Sequence, residues 1–296
     1  TMRRNFDGHA LGAYLKTNSL GFRGPEWAPR KPDGSLRVAL VGDSHAFGFG
    51  VEFDEGVGQR LAAELTARTD RPCEVLNVSL PGFNTHQELA ALRGYALPRA
   101  PDLVVVLICE NDHDPQQWCD EEGWLHLPNS NAPGGSVRAA THRLVTEKSL
   151  LRHSRLAMYL KLMWRRATLG REMRERAEPA QNWMQPVSDA EVVPRLAETV
   201  FAPLVAMVEA CRERGVPIVV VSLAGFPDYR RMMRAVHERL DVPTLELMTL
   251  YPDASSWSEL SAKHGLGWDD HLDAASHAMW ARAIADLVVD RGLVGR

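Results

Sequence analysis

The chain has 296 residues, 45% of them apolar and 24% charged, with a formal net charge of −4 at pH 7. Those proportions suit a folded domain with a real core and exclude a disordered, collagen-like or coiled-coil chain. The mild acidity argues against nucleic acid as a partner, and no run of about 18 apolar residues is present to cross a membrane as a helix.

Five short apolar runs read as strands: residues 37–41 (RVALV), 73–78 (CEVLNV), 103–109 (LVVVLIC), 216–223 (VPIVVVSL) and, more weakly, 243–247 (PTLEL). The third is apolar on both faces, as a central parallel strand should be. Helix signals lie between them. Residues 55–68 follow the first strand. Thr85-His86-Gln87-Glu88 reads as a capping box opening a helix to about Leu97. A second box, Ser188-Asp189-Ala190-Glu191, opens a helix that runs to Arg214, is kinked at Pro203 and is stopped by Gly215. Residues 274–289 form the last helix. Strictly alternating strands and helices predict an α/β fold of three layers, α/β/α, around a central parallel five-stranded sheet.

About a hundred residues separate the third and fourth strands, far more than a crossover needs. The expected organisation is one domain over 1–296, with a lead-in over 1–36 and an inserted helical cap over about 115–187. Residues 138–178 carry 11 Lys and Arg against 4 Glu. This basic stretch reads as a packed helix with a solvated back, or as a cap over a site that touches an anionic surface or substrate. Trp118, Trp124, Trp164 and Trp183 fall in the insertion and read as its core. The cysteines Cys73, Cys109, Cys119 and Cys211 form no CxxC pair, which argues against structural zinc. Cys73, Cys109 and Cys211 read as reduced thiols, buried as small apolar residues.

The first strand runs into Val41-Gly42-Asp43-Ser44-His45-Ala46, just before a helix. Open parallel sheets bind ligands at the carboxyl ends of their strands, and a helix start presents free N–H groups. A serine there suits a nucleophile whose attack creates an oxyanion, although a helix-capping serine fits the same tripeptide. The motif is not the GxSxG elbow, and no Walker A loop, GxGxxG or HExxH occurs. A base is available at His271 in Trp268-Asp269-Asp270-His271-Leu272, where Asp269 can reach Nδ1 and leave Nε2 for the serine proton. Read alone, His271 fits a surface or capping histidine equally well. Oxyanion donors are offered by Gly82, after the second strand, and by the Asn111 amide, after the third. Asp112-His113-Asp114 with His45 and His86 can be drawn as a metal site, but three consecutive residues cannot all face one ion, so metal is not expected. His45 and His113 read instead as pocket-lining residues, as do Phe83 and Glu110. Asn77-Val78-Ser79 matches a glycosylation sequon but ends a buried strand.

Four strand ends thus present, in order, Ser, Gly, Asn and Asp-x-His. That set resembles the SGNH hydrolase superfamily, also called the GDSL esterase/lipase family, in its bacterial form, over residues of about 18–289. Asn18-Ser19-Leu20-Gly21-Phe22-Arg23 is similar to a lead-in of bacterial members, and Val75-Leu76-Asn77-Val78 and Pro101-Asp102-Leu103-Val104-Val105 are similar to the segments before the Gly and Asn blocks. The resemblance implies a flavodoxin-like SGNH fold with a helical insertion. It implies Ser44 as nucleophile, Ser44, Gly82 and Asn111 as oxyanion donors, His271 as general base and Asp269 as its orienting acid, with Asp270 as the alternative acid. The sequence departs from the family's common pattern at Glu110, Trp268, Asp273 and Ser276. The function implied is an esterase removing a short O-acyl or acetyl group from a small-molecule or glycan ester. The alternatives are an O-acyltransferase acting on a sugar or natural-product hydroxyl and a non-catalytic carbohydrate- or lipid-binding relic. No metal or organic cofactor is implied. Residues 1–7 lack the apolar stretch of a secretory signal, so a soluble cytoplasmic protein is expected, with room for a signal or anchor upstream of Thr1.

Overall fold

The computed structural model describes residues 2–113, 118–119, 125–126 and 192–295. The chain opens with an antiparallel hairpin of β1 (Asp7–Ala10) and β2 (Ala13–Lys16). β3 (Leu36–Gly42), α1 (Ser44–Phe47), α2 (Val57–Thr69), β4 (Cys73–Asn77), α3 (Thr85–Ala91) and β5 (Leu103–Ile108) follow. Two short strands, β6 (Trp118–Cys119) and β7 (Leu125–His126), pair antiparallel. The chain continues through α4 (Ala202–Arg212), β8 (Ile218–Ser222), α5 (Pro227–Leu240), β9 (Thr244–Glu246), α6 (Trp257–His264) and α7 (Ala274–Asp290). The Ser188 capping box, the basic stretch 138–178 and nearly all of the predicted cap lie outside the described residues, as do the side chains of its four tryptophans.

All five predicted strands form, with ends moved by a residue or two, and they make one parallel sheet in the order β4-β3-β5-β8-β9. This is the flavodoxin-like order, and it reverses direction at β3, where the crevice for a ligand opens. β3, β5 and β8 are buried along their whole length. Their side chains alternate between two apolar layers: Ala39, Val41, Val104, Val106, Ile108 and Val220 face one, and Val38, Leu40, Val105, Leu107, Val219 and Val221 face the other. The first layer is closed by α3, α4 and α5, the second by α2 and α7. Each fully buried Val, Leu or Ile contributes about 1.5–3 kcal/mol relative to exposure. A three-layer arrangement is therefore the way this sequence hides both faces of its central strands.

Local departures from the sequence reading have simple causes. α3 is capped by Asn84, one residue before the predicted cap, because Asn84 and Gln87 exchange reciprocal side-chain to backbone bonds. That leaves Glu88 buried. Upstream of Pro203 the chain makes a π turn over Ala197–Phe201, and Pro203 then opens α4, where its missing N–H costs nothing. Cys109 and Cys211 are buried, but Cys73 is only half-buried. Among the described residues no helix is long and apolar enough to cross a membrane.

The end of the sheet away from the crevice is pinned by Arg37, which is fully buried. Its guanidinium donates to Glu74 (2.6 Å), the Arg99 carbonyl (2.8 Å) and the Ala28 carbonyl (2.9 Å), and its backbone N–H donates to Asp102 (2.8 Å). Pairing of this kind offsets the cost of burying the cation.

Candidate active site

The crevice lies at the carboxyl ends of β3, β4 and β5. Asp43 ends β3 and caps α1, its Oδ1 accepting the His45 N–H at 3.1 Å. This leaves Ser44 as the first residue of α1, with its hydroxyl turned to the crevice. Ser44 Oγ lies 2.7 Å from His271 Nε2, and His271 Nδ1 lies 2.5 Å from Asp269 Oδ1. Asp270 Oδ1 is 3.8 Å from the same Nδ1 and out of hydrogen-bond range. With its Nδ1–H donated to Asp269, His271 presents the Nε2 lone pair to the serine proton.

Asp43 also links Ser44 to Asn111. Its Oδ2 accepts from the Asn111 side-chain amide (3.0 Å) and lies 3.2 Å from Ser44 Oγ, whose one proton is directed to the nearer His271 Nε2. One Asn111 N–H is consumed there, which fixes the amide plane, and the other remains available to the crevice. Glu110–His113 is a 3₁₀ turn leaving β5. It is closed by buried Asp112, whose Oδ2 accepts the Cys109 N–H at 2.7 Å. The Tyr229 hydroxyl from α5 donates to the Glu110 carbonyl at 2.9 Å, and His113 Nδ1 approaches that carbonyl at 2.5 Å. Gly82 follows β4 with φ +78°, a left-handed conformation that glycine adopts at no steric cost.

These groups surround a pocket of about 530 Å³. Its polar side is made by Ser44, Gly82 and Asn111, with the carboxylates Glu110 and Asp270 also lining it, and its apolar wall by Phe49, Pro81, Leu223 and Trp257. His45 and His271 line it as well. Of the predicted pocket residues, His45 and Glu110 are brought in and two are diverted. Phe83 packs against the core layer beside α3 and α4, and His113 turns back onto Glu110 and Tyr229. Sequence reasoning missed Phe49 and Trp257. The one available signal for Phe49 was its position between two glycines just after the Ser44 helix.

The sequence departures acquire reasons. Asp273 and Ser276 start α7, the Asp273 side chain accepting the Ser276 N–H at 2.9 Å. Trp268 packs its ring against the lead-in at Gly12. Asn77 is engaged with the Ala46 carbonyl at 2.7 Å, which removes it as a sequon acceptor in the folded chain.

Electrostatics favour one base. His45 is buried with its ring 4.8 Å from that of His271 and is flanked by Trp257 and Trp280. Burial, reinforced by His271, holds its pKa well below the usual imidazole range, so His45 is neutral and does not compete for the proton. Burial pushes the Cys109 thiol well up, which removes it as a nucleophile. Burial and Asp269 raise the Asp270 carboxyl. Among the described residues, the ligand atoms of Asp269, Asp270 and His271 are grouped within 4.8 Å of one another. A cation there would displace the Asp269–His271 hydrogen bond. Among the described residues Asp112, His113, His45 and His86 do not form such a group, and Asp114 lies outside them.

No sequence-family model and no curated protein matches the chain. Solved structures do. A protein described as lipolytic and of the G-D-S-L family, from Desulfitobacterium hafniense, is similar over 86% of this chain and 99% of its own, at 11% identity and a TM-score of 0.46. A protein described as an acylhydrolase, from Bacteroides fragilis, is similar over 90% of this chain and 92% of its own, at 11% identity and a TM-score of 0.46. AlinE4, an esterase of the SGNH-hydrolase family, is similar over 75% of this chain and 82% of its own, at 14% identity and a TM-score of 0.40.

Proposed function

We propose that this chain is a serine hydrolase of SGNH type, acting on an O-acyl ester through an acyl-Ser44 intermediate. The observation that carries the reading is the relay Ser44–His271–Asp269, with contacts of 2.7 and 2.5 Å, opening onto a pocket lined by Gly82 and Asn111.

In this reading Ser44 attacks the ester carbonyl as His271 Nε2 takes its proton. Asp269 holds the imidazole in the required tautomer and stabilises the imidazolium that forms. The negative charge on the carbonyl oxygen is met by the Ser44 and Gly82 N–H groups and by the Asn111 N–H not committed to Asp43. Collapse breaks the ester C–O bond, and the alcohol leaves with the proton from His271. Water, activated by the same base, then releases the acid and restores Ser44. The wall of Phe49, Pro81, Leu223 and Trp257 suits an acyl or alcohol group of modest size, since the pocket of about 530 Å³ falls in the range of small-molecule sites. The substrate class supported is a small-molecule or glycan O-acyl ester.

Fluorophosphonate labelling of wild type and Ser44→Ala, together with p-nitrophenyl acetate turnover, tests the reading. Labelling and turnover that both vanish in the variant are expected. A folded wild-type protein that neither labels nor turns over would overturn it. Labelling with turnover seen only when an acceptor alcohol is added would make the enzyme an O-acyltransferase on the same residues.

A further inference from the structure

We propose that the N-terminal lead-in is a brace for the base side of this site, with Arg23 as a positioning residue for His271. The inference rests on the serine hydrolase reading above and adds to it a part of the chain outside the four motif blocks.

Arg23 is 4% exposed. Its cation is received by main-chain carbonyls: Nη1 donates to those of Phe47 (3.3 Å) and Gly48, and Nη2 to those of Val51 (2.7 Å) and Tyr14 (3.4 Å). The guanidinium also lies over the Phe47 ring, 5.4 Å from its centroid. Burial lowers its pKa to about 10, so it remains charged at neutral pH. Three of the four acceptors belong to the segment leaving α1, Phe47, Gly48 and Val51, and they bracket Phe49. The Phe49 ring stacks on His271 with centroids 4.3 Å apart and planes at 25°. It also lies 6.0 Å from Trp268.

The second contact of the brace is steric. Trp268 precedes Asp269 and is seated on bare backbone. A Cβ on Gly12, in the hairpin turn between β1 and β2, would stand 2.2 Å from Trp268 Cζ2. A Cβ on Gly50 would stand 2.1 Å from Leu266 Cδ1. Lead-in and Phe49 loop therefore close over the segment that carries Asp269 and His271. The lead-in is itself held in shape by local bonds. Asn18 Oδ1 accepts the N–H groups of Leu20 and Phe22, both at 3.0 Å, and Thr17 bridges to Arg23.

The consequence is geometric. His271 needs its Nε2 on Ser44 while Nδ1 stays on Asp269, and Phe49 limits rotation and tilt of the ring between them. A lysine at 23 supplies one point charge and cannot span four carbonyls. A misplacement of the base by about 1 Å costs on the order of 10²-fold in rate.

Arg23→Lys in the full chain is the test, with circular dichroism and thermal melting to establish folding. The readouts are kcat and KM for p-nitrophenyl acetate, and the low-field proton resonance of His271 Nδ1–H. The expected result is a kcat lowered about 30- to 100-fold with KM within about twofold, and a shifted or broadened resonance. Phe49→Leu should reproduce that loss, and the double variant should lose little more, because both act through one ring. A folded Arg23→Lys protein with wild-type kcat and resonance would overturn the proposal. If Arg23→Lys does not fold, Phe49→Leu and Gly12→Ala decide, and wild-type kcat and resonance in both would overturn it equally. A wild type that is folded but inert sinks the hydrolase reading instead, and the resonance still reports whether Arg23 and Phe49 hold His271.

Discussion

Ser44 and His271 touch, yet they stand on different foundations. Ser44 follows a strand buried along its whole length, and Asp43 beside it ties the His45 N–H, the Asn111 amide and the serine hydroxyl into one cluster. His271 stands in an irregular segment between α6 and α7, closed by the Leu266 N–H on the His271 carbonyl (2.9 Å) and the Asp273 N–H on the His264 carbonyl (2.8 Å). The nucleophile side is set by the sheet, through burial. The base side is set by side chains that reach it from elsewhere: Phe49, His45 and, through Trp268, the lead-in. Damage to the two sides should therefore differ in kind. Removing a group on the sheet side deletes chemistry from an intact frame, whereas disturbing the base side misaligns groups that are all still present.

The largest expected effect is on the sheet side. Ser44→Ala should lower kcat by about 10⁴-fold or more, with melting unchanged, because in the proposed mechanism the hydroxyl forms the bond and its loss leaves the Asp43–Asn111 bond in place. Ester turnover by the purified variant measures this, and retention of more than a few per cent of activity would show another nucleophile at work.

On the base side the acid is the sharper probe, because two carboxylates compete for one nitrogen. Asp269→Asn should lower kcat by about 10³- to 10⁴-fold, since an amide no longer selects the Nδ1–H tautomer. Asp270→Asn should change kcat by no more than about threefold, its Oδ1 standing 3.8 Å from Nδ1. Kinetics of the two variants side by side decide the assignment, and the reverse order would move the acid to Asp270. Asn111→Ala comes next, with an expected loss of about 10²- to 10³-fold in kcat at nearly constant KM, the signature of a donor used in the transition state.

The same division explains what the sequence revealed. β3, β5 and β8 were legible because they are apolar on both faces, a pattern that parallel burial requires, whereas the partly buried β4 and β9 were legible only as short apolar runs. Ser44 could be singled out because it follows such a strand, and His271 because an Asp two residues before it can reach Nδ1, and the two do come into contact. The bracing residues were not. Arg23 and Gly48 are 25 positions apart, and no local periodicity announces that a guanidinium will be satisfied by carbonyls across that distance. Phe83 and Phe49 look alike as aromatics beside a motif glycine. Only packing sends the first into the core and the second onto the imidazole. The cap of α3 was misplaced by one residue because Asn84 and Thr85 are both good caps, and the reciprocal bonds of Asn84 with Gln87 select the first. The insertion offered composition without register.

The smallest expected effect concerns stability, and it separates the two core layers by sign. Glu88 lies in α3 on one side of β3, fully buried, with neither carboxyl oxygen partnered among the described residues. Burial, with Asp43 adding to it, raises its pKa well above the carboxylate range, so the folded chain keeps a proton that the unfolded chain releases. Stability from this group is present below the ordinary carboxylate pKa and is lost as pH rises toward the raised value. His277 lies in α7 on the other side, its Nδ1 accepting the Val57 N–H at 3.2 Å. Burial holds its pKa down at about 3, so the unfolded chain takes up a proton that the folded chain refuses, and stability falls as pH drops from about 6.5 toward 3. Melting temperatures between pH 4 and 9 should therefore fall at both ends. Glu88→Gln should flatten the alkaline limb alone, gaining about 2–4 °C on wild type above the ordinary carboxylate range for each kcal/mol released. His277→Gln, which keeps an acceptor for Val57, should flatten the acid limb alone. A Glu88→Gln curve parallel to wild type would mean that Glu88 is ionised in the folded chain, against the raised pKa that its burial gives.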